Sequence, residues 1–224
     1  MPYRKIVFAV NEIYHVLNRG VANTPIFGFL KEYHRFLNLM DFYRYPPFLY
    51  SFSHFDRLPI REKEKFAKIL KGKGDLVEIL AYCLMPTHFH LLLRQLKPRG
   101  IPIMLANIQN GYARFFNLRN RRAGPLFRSI FKAIRIENDE QILHVSRYIH
   151  LNPSSSYLTK IKDLPSYTWS SLPEYLEQRV PSFISTEFLL KMIGGKKRYQ
   201  EFVFDQAEYQ RKLQEIKHLS LENP

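Results

Sequence analysis

Two short patterns in this sequence carry residue types that do chemistry. The first is His88-Phe89-His90, which follows Met85-Pro86-Thr87. Residues 88–94 read as a strand, and strand alternation puts His88 and His90 on one face, with Phe89 and Leu91 on the other. Two imidazoles so placed can chelate one divalent ion, and imidazole suits Mn, Zn, Fe or Ni. Taken alone, such a triplet is more often a pair of structural histidines; its place after a Pro-containing turn between two apolar strands strengthens the metal reading. The motif holds no carboxylate, so a third ligand must come from elsewhere in the chain.

The second pattern is Arg147-Tyr148-Ile149-His150-Leu151-Asn152-Pro153. It closes a helix expected from about residue 139, whose apolar face is Ile142, Val145 and Ile149. Tyr148 and Asn152 stand four apart and are neighbours along one edge of that face. A phenol can act as a nucleophile and an amide oxygen can ligate a metal. The same residues also fit a packing tyrosine and a helix terminator, because proline disfavours helical geometry in the residue before it. Tyr112 is the rival nucleophile, but the position four residues on is Phe116. His15, His34, His54, His144 and His218 show no comparable pairing, and His150 falls on the face opposite Tyr148.

The elements that must position these groups follow from periodicity and punctuation. Residues 12–18 read as a strand ended by Gly20. A helix is expected from Asn23-Thr24-Pro25 to about Met40. An irregular aromatic stretch with Pro46-Pro47 leads to a charged helix over 61–70. Residues 76–85 are nearly continuous apolar sequence, as in a buried strand. A helix over 102–119, a strand over 127–136 and the tyrosine helix complete the series. The order matches an α+β, ferredoxin-like βαββαβ antiparallel sheet with one added helix. Residues 165–174 form a loop around Trp169, and the chain from 185 onward is helical in pattern, interrupted at Gly194-Gly195. Residues 1–164 therefore read as the main domain, with an insertion near 44–70, and 165–224 as a helical appendage.

Charge narrows the partner. The chain has 224 residues and a net charge of +14 from 34 Lys+Arg against 20 Asp+Glu. A surplus of that size favours a polyanion. It is also segregated: residues 79–136 contain no Asp or Glu. Candidate nucleic-acid contacts are Arg19, Arg114, Arg119, Arg121, Arg122, Arg128, Lys132 and Arg135, with Tyr112, Phe115, Phe116, Phe127 and Phe131 interleaved as core residues or base-stacking platforms. The hydrophobic fraction of 46% excludes wholesale disorder. A single cysteine, Cys83, excludes an internal disulfide. With no apolar run near ~18 residues and no leader-like start, a soluble cytoplasmic protein is expected.

These motifs together resemble the REP-associated tyrosine transposases, a branch of the single-tyrosine HUH transposases related to the insertion-sequence-200/605 type. The resemblance is carried by Tyr14 through Gly20, Ala81 through Leu93, Gly124-Pro125-Leu126-Phe127, Arg147 through Pro153 and Tyr167 through Ser171. It implies that His88 and His90 are metal ligands, that Asn152 supplies a third, and that the ion is Mg²⁺ or Mn²⁺. It implies that Tyr148 attacks a DNA phosphodiester and becomes a 5′-phosphotyrosine, leaving a free 3′-OH. The implied substrate is single-stranded DNA at or beside a hairpin of a palindromic repeat, handled by a monomer or a homodimer. The stretch 44–70 is longer than the usual connection, and Thr87 stands where relatives often carry Asn or Asp. Two other readings stay open: a non-catalytic single-stranded nucleic-acid-binding module, and a metal-dependent phosphodiesterase with a water nucleophile.

Overall fold

A computed structural model describes residues 6–46, 50–128, 130–180, 183–205 and 207. The elements run β1 (Ile13–Arg19), α1 (Leu30–Tyr43), α2 (Phe52–Phe55), α3 (Ile60–Gly72), β2 (Val77–Met85), β3 (His88–Gln95), α4 (Gly100–Arg119), β4 (Lys132–Ile136), α5 (Asp139–Ser155), α6 (Leu172–Tyr175), α7 (Glu187–Ile193) and α8 (Lys196–Asp205). The strands form one antiparallel sheet in the order β2-β3-β1-β4. This is the expected α+β, ferredoxin-like arrangement. No helix among the described residues is long and apolar enough to cross a membrane.

Helices lie on both faces of the sheet, which is why β2 and β3 are buried almost throughout. On one face, Phe36 of α1 and Tyr112 of α4 pack with Phe27 and Phe89, with ring centroids 4.9–5.4 Å apart. On the other face α5 crosses β2 and β3. Strand alternation sends Phe89 to the first face and His88 and His90 to the second.

Four boundaries differ from the sequence expectation, each for a physical reason. The first helix begins at Leu30 rather than near Pro25, because the Glu32 carboxylate caps it by accepting the N–H groups of Gly28 (2.7 Å) and Phe29 (3.0 Å). The tyrosine helix runs through Pro153 to Ser155. Its last turn is buried, and that packing offsets the roughly 3 kcal/mol that an interior proline costs. The strand expected over 127–136 forms its ladder only from Lys132. Upstream of it Phe127 makes one bridge to Gly20, and the rings of Phe127 and Phe131 both turn into the core. The irregular stretch before α3 contains the short α2, and the Phe42, Phe52, Phe55 and Phe66 rings hold α2 and α3 to the end of α1.

The outer edge of β2 is covered by the segment after α5. Leu84 N donates to Trp169 O (2.8 Å), Ser171 N to Tyr82 O (3.0 Å) and Ser185 N to Ile79 O (3.0 Å). An edge strand left bare would invite pairing with another chain. The expected C-terminal helices appear as α7 and α8; His218 lies outside the described residues.

Candidate active site

The site is built from the β1–β3 register. Arg19 pairs with His88 and Leu17 with His90, so these side chains share one sheet face. Tyr148 reaches down from α5 onto that face. Its ring centroid is 5.5 Å from that of His90 and 6.0 Å from that of His15, both edge-on. Asn152, one turn later, is within hydrogen-bonding reach of both His88 and Tyr148. Ser156 Oγ donates to Asn152 Oδ1 at 3.4 Å. These groups line a cavity of about 320 Å³ together with Asn18, Arg128, Ile130 and Lys132. Both chemical patterns of the sequence therefore meet in one place within one chain.

Electrostatics keep the imidazoles neutral. Burial pushes the His88 pKa down to about 4, and the Arg19 charge adds to this while the Asn152 hydrogen bond opposes it. His90 is held well below its ordinary value by burial, then by His15, His88 and Arg19. A neutral imidazole keeps one ring nitrogen as a lone-pair donor. The Tyr148 phenol, still 37% exposed, is raised by burial, while the Asn152 hydrogen bond and the Arg19 charge pull it back.

The structure corrects the reading of His15 as an unpaired strand residue. His15 Nε2 lies 2.9 Å from His90 Nδ1, and the two rings stack with centroids 5.1 Å apart. His88 Nδ1 likewise meets Thr87 Oγ1 at 3.0 Å, so the threonine at this position supports the ring directly. Each δ nitrogen is thus held by a protein group, so a ligand would have to approach the ε nitrogens, on the side of His88 where Asn152 also reaches it. Engaging one ring nitrogen to orient the other is how ligating histidines are usually fixed.

Two neutral imidazoles and one amide oxygen form an open donor set. Among the described residues no group of three His, Cys, Asp or Glu side chains is arranged to hold a metal. Hard cations want oxygen ligands, so this set would hold a divalent ion only with further oxygen donors from outside the protein.

Of the candidate basic residues, Arg19, Arg128 and Lys132 line the cavity. Arg114, Arg119 and Arg121 are exposed along or just after α4. Arg122 donates to the Gly124 and Pro125 carbonyls, and Arg135 is tied to Glu12 at 2.8 Å. Tyr112, Phe116, Phe127 and Phe131 are buried and offer no stacking face. Tyr112 is unsuited as a nucleophile: it has no exposed surface and its hydroxyl donates to Ile26 O. His150 points away from the cavity, as expected, between Ser171 Oγ and the Tyr199 hydroxyl, each at 2.8 Å.

Fold and cavity together define an α+β protein with a histidine pair facing a helix-borne tyrosine in a basic hollow. A known protein shares the architecture. The solved structure of a REP-associated tyrosine transposase bound to a REP hairpin aligns with 84% of this chain and 93% of its own, at a TM-score of 0.52 and 11% identity. At that identity the likeness shows the fold. No family model matches the chain, and no curated protein does either.

Proposed function

We propose that the protein is a metal-dependent single-tyrosine DNA nickase and strand transferase acting on single-stranded DNA at hairpins. One observation carries this reading: the Tyr148 hydroxyl-bearing ring sits over the His88/His90 face, beside Asn152, in a cavity lined by Arg19, Arg128 and Lys132. A nucleophile, a donor set for a cation and phosphate-attracting charge occupy one open space. The fold shared with a hairpin-bound transposase supports the same reading.

On this reading, Arg19, Arg128 and Lys132 draw the DNA backbone into the cavity. Asn152 orients the phenol, and the Arg19 charge favours its ionised form. The Tyr148 oxygen attacks phosphorus. One P–O bond forms to tyrosine and the P–O3′ bond breaks; the phenolic proton is balanced by protonation of the departing 3′-oxygen. The product is a 5′-phosphotyrosine and a free 3′-OH, so the phosphodiester energy is kept for rejoining. His88, His90 and Asn152 would hold Mg²⁺ or Mn²⁺, whose role is to stabilise charge developing on the phosphate. Residues 1–164 carry this chemistry; 44–70 is an insertion within them, and 165–224 is an appendage. The single chain supplies the whole constellation, so the reading works for a monomer as well as a dimer.

The absence of a carboxylate from the donor set favours one rival, a module that binds single-stranded nucleic acid without cutting it. One experiment separates them. Labelled hairpin oligonucleotides from repeats flanking the gene are incubated with the protein and Mn²⁺ or Mg²⁺, then resolved on a denaturing protein gel. A labelled band that EDTA and Tyr148→Phe both abolish is the expected result. Binding with no covalent band, for every repeat and both ions, would establish the rival. Cleavage without attached protein would indicate a water nucleophile.

A further inference from the structure

An aromatic side chain outside the cavity stands in the open beside basic residues. Phe29 is 60% exposed, and Leu30 beside it is 68% exposed. The Arg119 guanidinium lies 5.6 Å from the Phe29 ring centroid. Leu118, next to Arg119 at the end of α4, is 74% exposed. Single exposed apolar residues are ordinary, but apolar residues grouped within a charged rim mark interaction surfaces. The aromatic residues of the acid-free segment are all at least partly buried, so Phe29, contributed from outside that segment, is the exposed ring beside its basic residues.

The mount under Phe29 is rigid. The buried Glu32 carboxylate holds the backbone N–H groups of both Gly28 and Phe29, and Asn120 Nδ2 donates to its other oxygen at 3.2 Å. The ring is therefore presented by a fixed backbone rather than by a free loop, which lowers the ordering cost of binding. The mount is also joined to the cavity rim. Ile26 N and Phe27 N both donate to Pro86 O (2.7 and 3.0 Å), two residues before His88, and Gly20 N donates to Thr87 O (2.9 Å), one residue after Arg19.

We infer that Phe29, with Arg119 alongside, is a stacking platform for an unpaired base of a single DNA strand whose backbone continues into the Tyr148 cavity. The occupant follows from charge and chemistry. Residues 79–136 bring basic side chains and no acid of their own; the acid at this spot is Glu32, buried beneath Phe29 and 4.0 Å from Arg119, so the exposed charge stays basic and suits a phosphate backbone. A flat exposed ring beside a guanidinium suits a nucleobase, since every base has a π-face and arginine adds a cation–π contribution. Duplex DNA has no free base face to offer, so the platform selects unpaired flanks over paired stems. This inference rests on the proposed function.

The test uses the full chain and two fluorescein-labelled hairpins with one shared stem: one blunt, one with short oligothymidine tails. Fluorescence anisotropy is measured for the wild type, Phe29→Ala and Phe29→Trp. Phe29→Ala is expected to weaken the tailed hairpin by about five- to a hundredfold, to leave the blunt hairpin unchanged, and to be rescued by Phe29→Trp. A 2-aminopurine in the tail should be quenched on binding by the wild type and not by Phe29→Ala. Wild-type and Phe29→Ala proteins binding the tailed hairpin equally would overturn the inference and leave the nicking reading standing. A wild type that binds neither hairpin would overturn both. Concentration-dependent self-association lost in Phe29→Ala, with DNA binding intact, would assign the surface to a second copy of the chain instead.

Discussion

Helix α5 carries a histidine–tyrosine cluster on each of two sides, and the two behave in opposite ways. On one side, His150 is fully buried, with both ring nitrogens engaged by Ser171 and Tyr199. Tyr199 is itself buried and also bonded to Ser146. On the other side, Tyr148 is 37% exposed and faces His88 and His90, whose δ nitrogens are held by Thr87 and His15 and whose rings line an open cavity. Residue types are the same in both places. What separates a structural cluster from a chemical one is unspent valence: an accessible hydroxyl, imidazoles lining an open cavity and basic residues at the rim.

The sharpest break in that comparison is between the two tyrosines. Tyr148→Phe should reduce covalent attachment to DNA by on the order of 10⁴-fold or more, as for loss of a nucleophile, with oligonucleotide affinity kept within about twofold. Tyr199→Phe should leave the adduct yield per folded molecule unchanged and cost about 1 kcal/mol of stability, read by urea denaturation. Adduct formation by the Tyr148 variant at wild-type yield would remove the distinction between the sides.

The closed side should show itself in pH dependence. Burial pushes the His150 pKa down to about 3, from 6.5 in the unfolded chain. The unfolded state therefore binds a proton below about pH 6.5 that the folded state refuses. The stability His150 contributes is complete above that pH and falls by roughly 1.4 kcal/mol per unit as pH drops. His150→Gln should cost about 2–3 kcal/mol near neutrality through lost packing and hydrogen bonds. Its deficit against the wild type should shrink by about 2 kcal/mol between pH 7 and pH 5. A deficit that does not change with pH would mean that His150 is not held neutral by the fold.

How much of this was legible in the sequence depends on how far apart the partners lie. His88 and His90 share a face by strand alternation, and Tyr148 and Asn152 share an edge by helical spacing; both are local facts. His15 is different. It meets His90 across 75 positions, and that contact exists only because β1 and β3 adopt one register. Local rules also failed where tertiary packing outweighed them, as when the buried last turn carried α5 through Pro153. Composition showed a basic segment but could not separate Arg135, paired with Glu12, from Arg128 at the cavity rim.

His15 gives a finer test of the open side. Removing the group that engages His90 Nδ1 frees the ring to turn or to exchange its tautomer, as happens when second-layer partners of ligating histidines are lost. His15→Phe should raise the Mn²⁺ concentration needed for half-maximal adduct by about ten- to a hundredfold, and His15→Gln should recover part of that loss. A Mn²⁺ requirement unchanged in His15→Phe would reduce His15 to a packing residue, of the kind His150 is on the other side.

The smallest effects should come from the rim charges, and they resolve which of the basic residues face the DNA. Lys132→Ala and Arg128→Ala should each lower the slope of log affinity against log salt by roughly one, and weaken binding by a few-fold, about equally for all sequences. Arg135 stands on the same strand as Lys132, but its charge is offset by Glu12, at 2.8 Å. A paired cation releases fewer DNA counterions when it nears a phosphate, so Arg135→Ala should move the slope by clearly less than one. Equal slopes for Arg135→Ala and Lys132→Ala would mean that DNA breaks the Glu12 pair. The backbone path would then run along the outer edge of β4, and the Glu12→Gln variant should bind more tightly than the wild type.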